Sequence, residues 1–250
     1  MRAKNSSVFK VLGFAVLCLV SLLAGAPQAK ANEFAYEINS YGQFGFIDLN
    51  TGAFTQLGNM SVTLCGLAVS KGRLYGYGPC GTSGTLYEVN PVNGSLATVG
   101  TAPFSYSGLG STAKGLYGFD QNMNLYSVNP NTGATTLIGP TGLTTADASG
   151  FAVCDGLGTL YITPTPIGSF NTPLYSVNVK TGKAVLIGST GVYGIGALIV
   201  QDGKLYAGVF SPVAVYTLSM KTGAATFLAN ISGTSGYFYG LAPTAQVAPQ

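Results

Sequence analysis

One phrase recurs five times along this chain: a short apolar strand, a turn that closes on glycine, a second strand and another glycine. It occupies residues 46–52, returns as Leu86-Tyr87-Glu88-Val89-Asn90-Pro91-Val92-Asn93-Gly94, and appears again at 125–133, 174–182 and 215–223. A second marker, glycine followed by an apolar residue and then alanine or glycine, starts at Gly66, Gly108, Gly150, Gly194 and Gly240, with gaps of 42, 42, 44 and 46 residues. Strand-periodic repeats of that length are the signature of propeller blades, because one small sheet cannot bury its own faces and must stack on copies of itself.

Gly, Asn, Asp and Pro punctuation divides each full repeat into four short strands. In the third repeat these are 108–113, 116–119, 125–129 and 134–138, with Lys114-Gly115 as the first turn. The same order fits 66–100, 150–188 and 194–229. Residues 34–58 hold only the last three strands of such a unit, and the missing inner strand stands at the other end, as Tyr237-Phe238-Tyr239-Gly240-Leu241-Ala242-Pro243. The expected fold is therefore all-β: a five-bladed β-propeller with four antiparallel strands per blade. The carboxy-terminal strand (236–243) completes the amino-terminal blade, and closing the ring in this way removes exposed sheet edges.

The small residues of the inner strands, such as Gly66, Ala68, Gly108 and Gly110, suit strands that converge on an axis, while Leu67, Leu109, Phe151, Ile195 and Leu241 alternate with them toward the space between blades. Tyr87, Tyr126, Tyr175 and Tyr216 share one register and read as sheet-to-sheet packing. Asp48, Asn90, Asn129, Asn178 and Ser219 stand four residues before the turn glycine, where a short oxygen-bearing side chain accepts a backbone N–H. Asp155-Gly156 and Asp202-Gly203 occupy the inner hairpin turns. On this reading these acids shape turns.

The domain organisation reads as a cleaved signal peptide over 1–31 followed by a single domain over 32–250. Arg2, Lys4 and Lys10 precede an apolar run over 11–24 that leads into Ala29-Lys30-Ala31. The run is shorter than the roughly 20 residues of a comfortable membrane span; an uncleaved anchor is the alternative. Removing 1–31 changes the formal charge from +3 to −1, with seven basic groups facing eight acidic ones. The basic balance thus belongs to the leader, and total charge gives no support for nucleic-acid or anionic-lipid binding. The expected location is secreted or periplasmic, with no stable membrane insertion after cleavage and a monomeric state.

Three cysteines remain in that body. Cys65 just before one inner strand and Cys80 in a loop two strands later map to the same face of one blade, so a Cys65–Cys80 disulfide is expected in an oxidising compartment. Cys154 maps to the opposite face and reads as a buried thiol.

The loops that lead into the inner strands (59–65, 101–107, 140–149, 189–193 and 230–239) share a face with those joining second and third strands (39–43, 78–85, 118–124, 163–173 and 207–213). On the lead-in loops, Tyr106, Ser107, Asp147, Ser149, Tyr193, Tyr237 and Tyr239 form a candidate ligand-binding ring of hydroxyls and phenols. Water filling a plain channel is the alternative. The Pro-rich segment 163–173 is a candidate lid or partner contact.

Enzymatic readings lack parts. The chain has no His, so it carries no Ser-His-Asp triad and no imidazole base or ligand. A glycoside hydrolase needs two carboxylates about 5 to 9.5 Å apart, and Asp147 with Glu37 or Asp120 is the nearest approach to such a pair. Asp147 alone supplies too little charge for Ca²⁺, and no zinc spacing is present. No catalytic residue, metal or cofactor is assigned.

The blade phrase at 125–139, Leu-Tyr-Ser-Val-Asn-Pro-Asn-Thr-Gly-Ala-Thr-Thr-Leu-Ile-Gly, resembles those of exported bacterial propellers of the YVTN-like and quinoprotein-like repeat superfamily. The resemblance covers 34–243. It implies secretion and binding more often than catalysis, and no quinone cofactor. The functional expectation is an exported, non-catalytic binding or interaction module that meets a protein or glycan ligand at the lead-in face. A lectin-like module and a glycan-active enzyme are the alternatives, and each would use that face too.

Overall fold

A computed structural model of the protein describes residues 33–79, 84–143, 153–154, 159–164, 170–234, 236–244 and 247; for Tyr106, Ser107, Val153 and Cys154 it describes the backbone alone. The expected leader lies outside these residues. Residues 32–250 form one compact unit.

Strands β1 (Phe34–Asn39), β2 (Gln43–Asp48) and β3 (Phe54–Asn59) belong to the first blade. The second holds β4 (Leu67–Ser70), β5 (Arg73–Gly78), β6 (Thr85–Val89) and β7 (Leu96–Thr101), and the third β8 (Tyr106–Thr112), β9 (Gly115–Asp120), β10 (Asn124–Val128) and β11 (Thr135–Pro140). The fourth holds β12 (Val153–Cys154), β13 (Leu160–Ile162), β14 (Pro173–Val177) and β15 (Ala184–Ser189). The fifth holds β16 (Ile195–Gln201), β17 (Lys204–Phe210), β18 (Val213–Leu218) and β19 (Ala225–Asn230), and β20 (Phe238–Pro243) follows. Every sheet has four antiparallel strands; four are meanders of consecutive strands, and the first has the order β20-β1-β2-β3.

The carboxy-terminal strand therefore completes the amino-terminal blade. Ala35 pairs with Pro243, Tyr36 with Ala242, Glu37 with Leu241 and Ile38 with Gly240. The Ser40 N–H donates to the Tyr237 carbonyl at 3.0 Å beyond one end of the ladder, and the Thr244 hydroxyl donates to the Phe34 carbonyl at 2.8 Å beyond the other. Inner strands neighbour one another round a closed circuit, β4 with β8, β8 with β12, β12 with β16, β16 with β20 and β20 with β4. They approach closely: a Cβ on Gly240 would sit 2.7 Å from the Leu67 nitrogen.

Turn chemistry repeats as expected. The Asp48 carboxylate accepts the Asn50 N–H at 2.8 Å, and the side-chain carbonyls of Asn90, Asn129 and Asn178 accept from the residue two ahead at 2.8–2.9 Å. The Ser219 hydroxyl takes the N–H groups of Lys221 and Thr222 at longer range. The glycine ending each turn is left-handed, from Gly133 at φ 71° to Gly223 at φ 82°. In the inner hairpins, Lys71-Gly72 and Asp202-Gly203 all have positive φ, which two-residue hairpin turns require. Asp155-Gly156 lies outside the described residues.

The other glycine of the phrase has a contact reason. A Cβ on Gly58, Gly100 or Gly188 would overlap the carbonyl oxygen of Asn93, Thr132 or Thr222, each of which precedes the turn glycine of the next blade. Outer strands thus touch the neighbouring blade's turn backbone to backbone, with no room for a methyl group.

The core lies between blades. Ile195, Leu241, Phe238, Ala35 and Ile47 pack in one cluster, Leu67, Ile38 and Phe44 in another, and Leu109, Tyr75 and Leu86 in a third. Phe151 lies outside the described residues. The register tyrosines are half-buried: Tyr87 and Tyr216 pack against the second and first of these clusters, Tyr175 against a fourth around Phe119 and Leu160, and the Tyr126 ring lies 4.3 Å from that of Phe104. Among the described residues the buried tyrosines are on second strands: Tyr75, Tyr77, Tyr117 and Tyr206.

Candidate functional site

Each blade bonds its second-to-third-strand loop to the loop leaving its outer strand, which puts both sets on one face. The N–H groups of Met60, Ala102, Thr141, Thr190 and Ile231 donate to the carbonyls of Gly42, Gly84, Met123, Thr172 and Val213 at 2.7–3.2 Å.

Two polar hubs hold parts of this face in shape. Asn39 is buried at the end of β1. Its side-chain oxygen accepts the N–H groups of Tyr41 and Gln43 at 3.0 and 3.2 Å, and its amide donates to Gln43 Oε1 at 2.8 Å and Thr234 Oγ1 at 3.0 Å. The Thr234 hydroxyl in turn donates to Gln43 Oε1 at 2.8 Å. The lead-in loop of the last strand is thereby tied to the first blade, and the Tyr237 N–H donates to Ser40 Oγ at 3.1 Å. The second hub joins the loop before β14 to the loop before β16. The Thr172 N–H donates to the Val192 carbonyl at 2.8 Å, Gly194 N–H to the Thr172 hydroxyl at 3.3 Å and Gly191 N–H to Asn171 Oδ1 at 2.9 Å.

Aromatic side chains stand in solvent around these hubs. Tyr237 is 52 % exposed and Tyr193 45 % exposed. Phe170, 90 % exposed, lies with its ring centroid 6.3 Å from that of Tyr193, and Tyr237 meets Phe210 edge-on at 5.6 Å. Tyr41, 69 % exposed, occupies the loop held by Asn39. The sequence reading did not single out Phe170, Tyr41 or Phe210. Phe170 and Tyr41 lie in the 163–173 and 39–43 loops it had marked, but loop sequence does not say which side chain faces water. Tyr239 is half-buried and packs against the cluster between the first two blades, so it adds less open surface than Tyr193 or Tyr237. Asp147 and Ser149 lie outside the described residues, as do the side chains of Tyr106 and Ser107.

Neither of the two acids expected to pair with Asp147 presents a free carboxylate on this face. Asp120 is buried in the β9–β10 turn, where its carboxylate accepts the N–H groups of Asn122 and Asn124 at 2.9 and 2.8 Å, the Asn124 amide at 2.9 Å and the Tyr126 hydroxyl at 3.2 Å. Glu37 does not open onto the face. It is 1 % exposed in mid-strand, neither carboxylate oxygen has a hydrogen-bond partner, and burial pushes its pKa up from 4.5 to about 8. The repeat map put it on this face, farther out than Asp147, because it followed loops rather than side-chain alternation.

Cys65 is disulfide-bonded; Cys80 lies outside the described residues, as does the Cys154 side chain. Among the described residues no cluster of three or more Cys, Asp or Glu forms a metal site.

The family described as a domain of unknown function, DUF4394, matches residues 84–196. No curated protein matches the chain. Among solved structures, a chain of a nidogen/laminin complex superposes with a TM-score of 0.60 at 10% identity, covering 87% of this chain and 100% of that one. A structural-genomics protein of unknown function from Bacteroides thetaiotaomicron has a TM-score of 0.58 at 15% identity over 85% of this chain and 65% of its own. TolB from Acinetobacter baumannii has a TM-score of 0.52 at 13% identity over 84% of this chain and 56% of its own. What they share is the propeller. At these identities the likeness is one of fold and carries no ligand with it.

Proposed function

We propose that this is an exported, non-catalytic binding module whose lead-in face takes a neutral, polar ligand of glycan type. One observation carries the reading: Tyr41, Phe170, Tyr193 and Tyr237 are all exposed on the same face and held there by buried hydrogen-bond hubs. Aromatic faces with hydroxyl and amide groups between them suit the apolar patches and hydroxyls of a sugar. That face carries no Lys or Arg among the described residues, which favours an uncharged ligand. A nidogen/laminin complex is by name a protein assembly, in keeping with a binding use of this fold. A glycan-active enzyme would need a second carboxylate beside Asp147; Glu37 is buried in mid-strand and the Asp120 carboxylate is bonded into its own turn.

The test is a panel of immobilised neutral oligosaccharides and unstructured peptides, probed with wild type and with Tyr193→Ala/Tyr237→Ala. Binding to a neutral glycan class is expected, weakened about tenfold in the double variant if each ring contributes about 0.5–1.5 kcal/mol. Binding to none of the glycans, or equal binding by the variant, would overturn the reading.

A further inference from the structure

All seven Lys and Arg side chains of residues 32–250 lie at the other face, on the inner hairpins or on the turns between third and fourth strands. Lys71, Arg73, Lys114 and Lys204 are on the hairpins; Lys180, Lys183 and Lys221 are on the turns. All are exposed. We propose that this turn face is a docking surface for an acidic polysaccharide, independent of the ligand taken by the lead-in face.

The acids there do not cancel the lysines one for one. Glu88 is paired with Arg73 at 3.2 Å, and Glu33 with Lys204 at 2.7 Å. Asp48 is tucked into its turn, accepting a backbone N–H. Asp202 is exposed beside Lys204, and Asp155 lies outside the described residues. Among the described residues, Lys71, Lys114, Lys180, Lys183 and Lys221 form no ion pair, so a net charge near zero conceals a cationic face.

Two grooves open on that face at equivalent places in adjacent blades. One, of about 440 Å³, is lined by Lys114, Thr159, Ser176, Asn178 and Lys180 together with three valines, Val185 among them, and Lys114 reaches over from the preceding blade. The other, of about 400 Å³, is lined by Lys204, Thr217, Ser219 and Lys221 together with two leucines and Met220. In each, two ammonium groups flank hydroxyl or amide groups, which matches a sugar bearing sulfate or carboxylate together with free hydroxyls. Repetition on neighbouring blades suits a linear polymer. Among the described residues, the large exposed apolar side chains on this face are two valines, Val92 and, at the rim of the first groove, Val185. Two separate valines are too little apolar surface to anchor in lipid chains, and neither offers a ring on which a nucleic-acid base could stack.

Binding to dextran sulfate, uncharged dextran, phosphatidylglycerol vesicles and single-stranded DNA is measured for the full chain across a salt series. The variants are Lys180→Gln/Lys221→Gln, at turns shaped by Asn178, Ser219, Gly182 and Gly223, and Tyr193→Ala/Tyr237→Ala. Dextran sulfate is expected to bind and dextran not. The lysine variant is expected to lose about fivefold or more in affinity, with the log–log salt slope smaller by about 1.5, at about 0.7–0.9 per lysine removed. The tyrosine variant is expected to bind dextran sulfate like wild type, which separates this surface from the glycan face. Equal binding to dextran, binding to vesicles or DNA as tight as to dextran sulfate, or wild-type affinity in the lysine variant would overturn the proposal.

Discussion

Removing residues 237–250 is expected to abolish cooperative folding at 25 °C. The deletion takes away β20, and with it the fully buried Phe238 and Ala242 and the nearly buried Leu241, all from seams that the first blade shares with its neighbours. Truncating one buried Phe costs about 3–5 kcal/mol and one buried Leu about 2–5. A typical domain has about 5–15 kcal/mol in total. The lost ladder also leaves β1 unpaired on one edge, open to pairing with another molecule. Thermal melting followed by circular dichroism should show no transition for the truncated chain, and adding a peptide of residues 236–247 should restore part of it. A truncated chain that melts like wild type would mean that β20 contributes little to closure.

Stability is expected to fall between about pH 5 and pH 8, and Glu37→Gln to flatten that fall. In the folded protein Glu37 titrates at about 8, against an ordinary value of 4.5. Between those values the folded state holds a proton that the unfolded chain has released, so raising the pH favours unfolding. The full stability is present below about pH 4.5, is lost at about 1.4 kcal/mol per unit through the window, and levels off above about pH 8. The loss by pH 8 is on the order of 3–5 kcal/mol. The cause is local: Glu37 shares a strand face with Ala35 and pairs with Leu241, both in the apolar seam between the last and first blades. No imidazole can mimic the effect, because the chain has no His. Urea unfolding at pH 5, 6, 7 and 8 checks it. Equal slopes for wild type and the Gln variant would place the proton elsewhere.

The architecture was legible because its determinants are local and repeated. Asp48, Asn90, Asn129, Asn178 and Ser219 each close a turn with their own side chain, and a residue can do that only a few positions away in sequence. The closing strand could be found by counting, since one unit lacked an inner strand and the chain end offered one. Contacts between blades were harder to read. Gly100 looks like another turn glycine until Thr132 of the next blade is seen against it. Glu37 stands where the second strands of the other blades carry Gly76, Gly118, Ile162 and Ala207. That substitution was visible, but not that the seam offers its carboxylate no partner. Phe170 and Tyr41 escaped notice because a non-repeating loop has no period from which to infer exposure. The segregation of lysines was hidden by total charge and emerges only when each one is assigned to a turn.

The central claim is that the ring is sealed by β20 on β1, since that pairing decides which loops share a face. Hydrogen–deuterium exchange read by mass spectrometry tests it most directly. Peptides spanning 34–39 and 238–243 should both be protected and should lose protection together, with the opening free energy of global unfolding. Free exchange across 238–243 while 34–39 stays protected would contradict the closure.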